Sequence, residues 1–259
     1  MTASLREIKV YTTFPHRCSY LEGEEATTLF VDPRQKLSQE LYTQLSLLGF
    51  RRSGDHVYRP HCSRCSACIA SRVRVNEFQP GRTQRRISRK NQDLRIELSE
   101  SINDDEAYSL YRRYIESRHS DGDMYPPQRD QYESFLNDGL GCANYYRLYC
   151  GNRLVAVTVA DRMLDGLAAI YTFFDPEQPQ RSLGTEAVLL QIREAKAMGL
   201  PFVYLGYWIN GCRKMAYKSN FGPLELFIDG QWQQHKTAQT LGLDTSAVVN
   251  LLESKNNAD

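Results

Sequence analysis

A chain of 259 residues with 41% hydrophobic residues and a net charge of +1 can bury a sizeable core, and its composition is that of a globular protein. No apolar run approaches the roughly 20 residues that span a bilayer, and the opening residues, with Arg6, Glu7 and Lys9, lack the apolar core of a secretory leader. The seven cysteines, an odd number partly clustered as Cys62-x-x-Cys65-x-x-Cys68, do not form a secreted disulfide framework, so a cytoplasmic protein with no membrane partner is expected.

In chain order, residues 8–14 and 26–31 read as short strands. Leu37, Leu41, Leu45 and Leu48 recur at helical spacing, and Gly49 stops that helix. A short strand over 56–59 leads into the cysteines, and Val73 and Val75 indicate another strand after them. Pro80-Gly81 precedes a segment expected to be helical through Asn91. Residues 72–95 hold eight basic residues against Glu77 and Asp93, a local charge of +6 that leaves −5 for the rest of the chain. Such a segment points to a polyanion, although a merely solvated helix face is the common alternative.

A polar stretch over 99–105 predicts a soft boundary, with Asn103 or Asp104 capping a helix to about His119. A further helix is expected over 128–137. Strands over 145–149 and 154–160 flank the turn Cys150-Gly151-Asn152-Arg153, and a third strand covers 168–174. A helix over 183–198 carries Val188, Ile192 and Ala195 on one face, followed by a strand over 202–205 and a helical segment over 211–220. Strands over 224–228 and 232–234 form a hairpin at Asp229-Gly230. Three meandering strands, a helix and a further strand make an α+β plan. It resembles the GNAT acyltransferase fold, in which adjacent strands part to hold an acyl donor. The expected organisation is a smaller cysteine-bearing N-terminal α/β region over 1–100, a GNAT-like domain over 101–252 and a flexible tail over 253–259.

The cysteine cluster is the sharpest local motif. Its spacing lets thiolates turn around zinc or one face of an iron–sulfur cluster. Cys18 is the expected fourth ligand beside Cys62, Cys65 and Cys68, with His16 and His61 as substitutes; inert buried thiols are the plainer alternative. Arg181-Ser182-Leu183-Gly184-Thr185 before a helix resembles a phosphate-holding loop. Glu186 stands where a small residue would suit pyrophosphate, so no coenzyme A is expected. Tyr204 to Tyr207 with Lys214, Tyr217 and Lys218 interleave aromatics and cations suited to a terminal base and its phosphates, or to an ordinary core edged by lysines. No Gly-x-Ser-x-Gly or His-Glu-x-x-His motif occurs.

These segments resemble the arginyl/leucyl-tRNA–protein transferases, most closely the bacterial branch of aspartate/glutamate leucyltransferases. The likeness is carried by Cys18-Ser19-Tyr20, Tyr58-Arg59-Pro60 and the cysteines, and by Arg89-Lys90-Asn91-Gln92-Asp93-Leu94. It continues through Arg112-Arg113-Tyr114, His119, Asp121-Gly122-Asp123-Met124 and Tyr171-Thr172-Phe173-Phe174-Asp175-Pro176. It closes with Arg181-Ser182-Leu183-Gly184-Thr185, Tyr204-Leu205-Gly206-Tyr207-Trp208-Ile209 and Lys214-Met215-Ala216-Tyr217-Lys218.

The resemblance implies transfer of leucine from Leu-tRNA to proteins that begin with Asp or Glu, marking them for degradation. An aminoacyl ester is already activated and an α-amine is partly neutral near pH 7, so alignment and oxyanion stabilisation suffice without a covalent enzyme intermediate. Asp161, Tyr207 and Tyr217 are the expected catalytic residues. Arg82, Arg85, Arg86, Arg89, Lys90, Arg181, Ser182, Leu183, Gly184, Thr185, Lys214 and Lys218 are expected to hold the tRNA end. Arg17, Arg118 and His119 are the candidate cations for an acidic acceptor. The competing readings are arginyl transfer, coenzyme A-dependent N-acetylation and a non-catalytic metal-containing RNA-binding regulator.

Overall fold

The computed structural model describes residues 5–136 and 139–235; the expected tail over 253–259, the end of the second domain at 252 and the last residue of the helix expected over 128–137 lie outside the described residues. The first part of the chain forms strands β1 (Val10–Thr12), β2 (His16–Arg17), β3 (Glu25–Ala26) and β4 (Thr28–Val31), then helix α1 (Gln39–Leu47). Strands β5 (Arg51–Ser53), β6 (His56–Pro60) and β7 (Ile69–Arg74) lead to helix α2 (Arg82–Lys90) and strand β8 (Leu94–Ser99). Helices α3 (Asp105–Arg118) and α4 (Arg129–Leu136) precede β9 (Ala143–Cys150), β10 (Arg153–Arg162) and β11 (Gly166–Phe174). Helix α5 (Leu183–Ala197), β12 (Phe202–Trp208), the short α6 (Arg213–Ala216), β13 (Leu224–Ile228) and β14 (Gln231–His235) complete a mixed α/β protein.

The helices start and stop where local chemistry directs. Ser38 accepts the Leu41 N–H at 3.2 Å to cap α1, and Asp104 accepts the Ala107 N–H at 3.0 Å to cap α3. Gly49 follows α1 with φ +83° and Gly199 follows α5 with φ +70°, backbone conformations that glycine adopts without a Cβ penalty. Helix α5 buries Val188, Leu189, Ile192 and Ala195 against the large sheet, each large side chain contributing about 1.5–3 kcal/mol. The segment expected as a helix over 211–220 is shorter and tighter, with α6 passing into a 3-10 turn over Tyr217–Asn220.

The large sheet crosses the boundary expected near residue 100. An eight-stranded sheet runs β14-β13-β7-β12-β11-β10-β9-β8, so β7 and β8, which precede that boundary in sequence, lie in one sheet with the strands that follow it. Strand β7 pairs antiparallel with both β12 and β13, and its central residues are buried. A strand covered on both faces and paired on both edges is an internal part of a sheet, not the rim of another domain. The remaining N-terminal strands form a small sheet, β1-β4-β6-β5, beside the ribbon β2-β3. None of the helices within the described residues is long and apolar enough to cross a membrane.

One pairing in the large sheet differs from the rest. Strands β11 and β12 run parallel and pair only at Gly166–Phe202, Leu167–Val203 and Ala168–Tyr204. Beyond Ala168 and Tyr204 they have no shared register. In a central strand this parting exposes what would otherwise be buried, and Ala169, Ile170, Tyr171 and Thr172 are a consecutive half-buried run. The two strands thus open a slot at the middle of the sheet.

Candidate functional site

The slot begins at Arg51 of β5. Its guanidinium donates to the Ala169 carbonyl at 2.5 Å, the first carbonyl beyond the β11–β12 pairing. On the other strand a Cβ added to Gly206 would stand 3.4 Å from the same guanidinium. The cation thus lies against β12 at Gly206, whose φ of +81° favours glycine, beside the register shift between Tyr204 and Gly206. Lys218 lies within electrostatic reach of Arg51. Its ammonium is buried and donates to the Tyr207 carbonyl at 2.6 Å, with Met215 Sδ at 2.9 Å. Burial first, then the Arg51 charge, pulls the Lys218 ammonium down to about 7.

One wall of the slot is aromatic. The Tyr114 ring lies 6.4 Å from Tyr171 and 4.9 Å from Phe174, and Arg118 stands 5.7 Å over Phe174. The Tyr171 hydroxyl faces Met124 Sδ at 3.4 Å, and His119 Nε2 is 3.2 Å from the Tyr114 hydroxyl. Lys214 pairs with Asp121 at 3.0 Å beside this wall, and Tyr217 is half exposed. The structure therefore brings Arg118, His119, Lys214, Tyr217 and Lys218 near one another. Burial first, then Lys214, depresses the His119 pKa, so at neutral pH it is an uncharged imidazole and not the expected cation for an acidic acceptor. Arg17, on β2, is paired in register with Glu25 and exposed.

The basic helix packs beside the start of α5 and the turn at Asn220. The buried Gln84 and Ile87 seat α2 against the body of the protein. Gln84 Nε2 donates to the Asn220 carbonyl at 2.9 Å, and Lys90 Nζ to the Gln180 carbonyl at 2.9 Å. Arg82, Arg85, Arg86, Arg89 and Lys90 all face solvent, and among the described residues none is in an ion pair. Arg72 and Arg74 of the same basic stretch are not part of this surface, since both turn to Glu225 within the sheet.

Ser182 adopts φ 54° to begin α5, Leu183 is buried, and a Cβ on Gly184 would meet the Phe174 ring at 3.2 Å. These residues and Thr185 present the first turn of α5 next to α2, where backbone N–H groups have no partner four residues earlier.

Several sequence expectations are corrected by this geometry. Asp161 does not face the slot; its side chain has no exposure and is held by Arg52 Nε at 2.6 Å, Arg52 Nη2 at 2.7 Å and the Tyr42 hydroxyl at 2.9 Å. Tyr207 donates its hydroxyl to the Gly49 carbonyl at 3.0 Å, and burial raises that phenol well above its ordinary pKa, so it is a structural donor. Arg181 is spent on Asp93 at 2.8 Å and on Gln178, and is not available to phosphate. Lys218 is buried and not a surface contact for RNA. Glu186 pairs with Arg193 at 2.7 Å and accepts from Ser88 at 3.1 Å, so its charge is compensated internally and does not bear on coenzyme A. Arg51 escaped sequence reading because a basic residue in a short strand gives no sign of its burial. Tyr114 and Tyr171 stood inside recognised motifs, and their clustering was the available signal.

The cysteines share a second cavity of about 460 Å³, lined by Cys18, Cys62, Cys65 and Cys68 with Tyr20, Tyr58 and Tyr207. Burial first, then Cys18, Cys65 and Cys62, pushes the Cys68 thiol up to about 12, so the thiols are near enough to feel one another's charge. Such a donor set suits a soft cation, although among the described residues no three potential ligands stand at ligating separation.

Comparison with known proteins matches residues 16–86 to the family described as "Arginine-tRNA-protein transferase, N terminus" and residues 106–228 to its C-terminal counterpart. The sequence is 52% identical to an aspartate/glutamate leucyltransferase of Pseudomonas aeruginosa over 88% of this chain and 97% of that protein. It is 51% identical to one of Marinobacter nauticus over 91% of this chain and 99% of that protein. Among solved structures, that of FemX aligns with a TM-score of 0.44 at 10% identity, covering 80% of this chain and 81% of the other.

Proposed function

Since the chain belongs to the arginine-tRNA-protein transferase family, we propose that it transfers leucine from Leu-tRNA to the N-terminus of proteins beginning with Asp or Glu. The observation that carries this reading is the opening between β11 and β12, together with a helix whose exposed face is cationic and which is seated on Asn220, two residues from Lys218. The parallel pair that parts after three residues supports a GNAT-like use of the sheet, with the acylated ribose in the slot and the tRNA body across α2. The enzyme works in the cytoplasm, where charged tRNA is found, and its product is marked for degradation.

In the reaction the acceptor α-amine attacks the ester carbonyl. A C–N bond forms, the C–O bond to the ribose breaks, and the proton released from the amine ends on the ribose hydroxyl. His119, neutral at the slot wall, is suited to carry that proton, and the aromatic wall of Tyr114 and Tyr171 keeps water from the ester. Alignment supplies most of the acceleration, because the ester needs no further activation.

The test is a transfer assay with separately charged Leu-tRNA and Arg-tRNA against peptides beginning with Asp, Glu or Ala. Leucine should pass to the Asp and Glu peptides and not to the Ala peptide. Transfer from Arg-tRNA in its place would select the arginyl reading, and labelling from acetyl-CoA would overturn aminoacyl transfer altogether.

Cys18, Cys62, Cys65 and Cys68 are the proposed ligands of zinc or an iron–sulfur cluster, supported by their shared cavity. Bound there, the metal would tie the loop before β3 to the start of β7, a structural role in thiolate ligation. Protein purified without oxygen should carry about one zinc ion or one cluster per chain by elemental analysis, and Cys65→Ser with Cys68→Ser should remove it. Equal metal content in that double variant would dismiss the assignment.

A further inference from the structure

The buried cations fall into two kinds. Arg52 is matched by Asp161 and Arg72 by Glu225. Arg51 and Lys218 are buried as deeply, at 8% and 4% exposure, yet their hydrogen bonds run to the Ala169 and Tyr207 carbonyls, and among the described residues neither is in an ion pair with a carboxylate. The groups that bear on Lys218 are Arg51 and the thiols of Cys212 and Cys68, with the Tyr217 ring at 5.4 Å. Two buried basic side chains that repel each other and, among the described residues, are in no ion pair with a carboxylate are costly to a folded protein. A chain keeps such a pair where an anion arrives from outside.

We propose that Arg51 and Lys218 together bind the side-chain carboxylate of the acceptor's first residue and set the preference for Asp and Glu over their amides. The inference rests on the acceptor class stated above. Amine and ester must touch, and the carboxylate of an N-terminal Asp or Glu lies only a few bonds from that amine, so its cation must stand beside the reacting carbonyl. Arg51 stands at the point where the strands part, beneath the half-buried run of β11. A site meant to reject an isosteric amide must also be desolvated, because an exposed cation distinguishes Asp from Asn only weakly. The phosphates of the donor meet the exposed arginines of α2 instead, which leaves the buried pair for the acceptor.

The experiment measures binding of peptides that begin with Asp or Asn, by fluorescence anisotropy, to the full chain and to Lys218→Met, Lys218→Arg and Arg51→Gln. The native protein should favour the Asp peptide by on the order of 10²-fold. Lys218→Met and Arg51→Gln should bring that ratio towards one while leaving the Asn peptide's affinity intact, and Lys218→Arg should retain most of it. Removing an uncompensated buried charge should also raise the melting temperature of Lys218→Met by roughly 2–4 °C, so a lost preference cannot be put down to unfolding. An unchanged ratio in both neutral variants, or equal binding of the two peptides by the native protein, would overturn the proposal. Loss of the ratio in the variants together with no leucyl transfer by the native protein would keep the anion site and reject the leucyl reading.

Discussion

Asparagine at position 161 should destabilise the protein by about 3–5 kcal/mol, an effect on folding before any effect on transfer. Asp161, next to last in β10, has no exposed surface, and three donors converge on it: two from the Arg52 guanidinium and one from the Tyr42 hydroxyl. Tyr42 comes from α1 and Arg52 from β5, so a single carboxylate joins the small N-terminal sheet and its helix to the large sheet. An amide keeps the shape but removes the charge, and it leaves a guanidinium buried without a counter-ion. Replacing both partners, as in Asp161→Leu with Arg52→Met, removes that penalty and should recover much of the loss. Urea denaturation of the two variants reads the difference directly. A native-like midpoint for Asp161→Asn accompanied by slow transfer would return this residue to the reaction and contradict the structural role.

The second large effect concerns α2. Alanine at Arg82, Arg85, Arg86 and Arg89 should weaken binding of Leu-tRNA on the order of 10²- to 10³-fold near 0.1 M salt and reduce the slope of log K against log salt by about 3 to 4, close to one per lost phosphate contact. These side chains face solvent, while the buried Gln84 and Ile87 that seat the helix are untouched, so the variant should fold normally. Transfer at saturating donor should fall much less than binding, because the slot itself is unaltered. A salt slope equal to that of the native protein would show that the tRNA crosses another face.

The two predictions also mark what could be read before the fold was known. Surface charge is a property of composition, and the arginines of α2 therefore stood out as a cationic segment and proved to be exposed. Helix ends were equally legible, since Ser38, Asp104, Gly49 and Gly199 act through bonds and dihedrals within a few residues of themselves. The burial of a charge is not local. Arg52 meets Asp161 across 109 positions of sequence, and Glu186 meets Ser88 across 98. Nothing near Lys218 marks it as buried, and its neighbours in sequence read as a surface rich in lysine. The strand β5 was missed for the same reason: Arg51-Arg52-Ser53 reads as polar loop until its partners are known. The strand β8 was passed over although Leu94, Ile96 and Leu98 alternate, because the polar residues that follow it read as a boundary.

The place of β7 in the large sheet has a consequence for how the protein can be made. Its neighbours are β12 and β13, which leave the ribosome more than a hundred residues later. Until residue 208 is free, that strand has no ladder to join, and its second edge stays bare until β13 follows at residue 228. Pairings of such long range form slowly, and an open edge in the meantime invites contact with other chains. Cutting the gene at the midpoint would therefore yield two fragments, each missing a wall of the same building, and co-expression of the halves should rescue what neither achieves by itself.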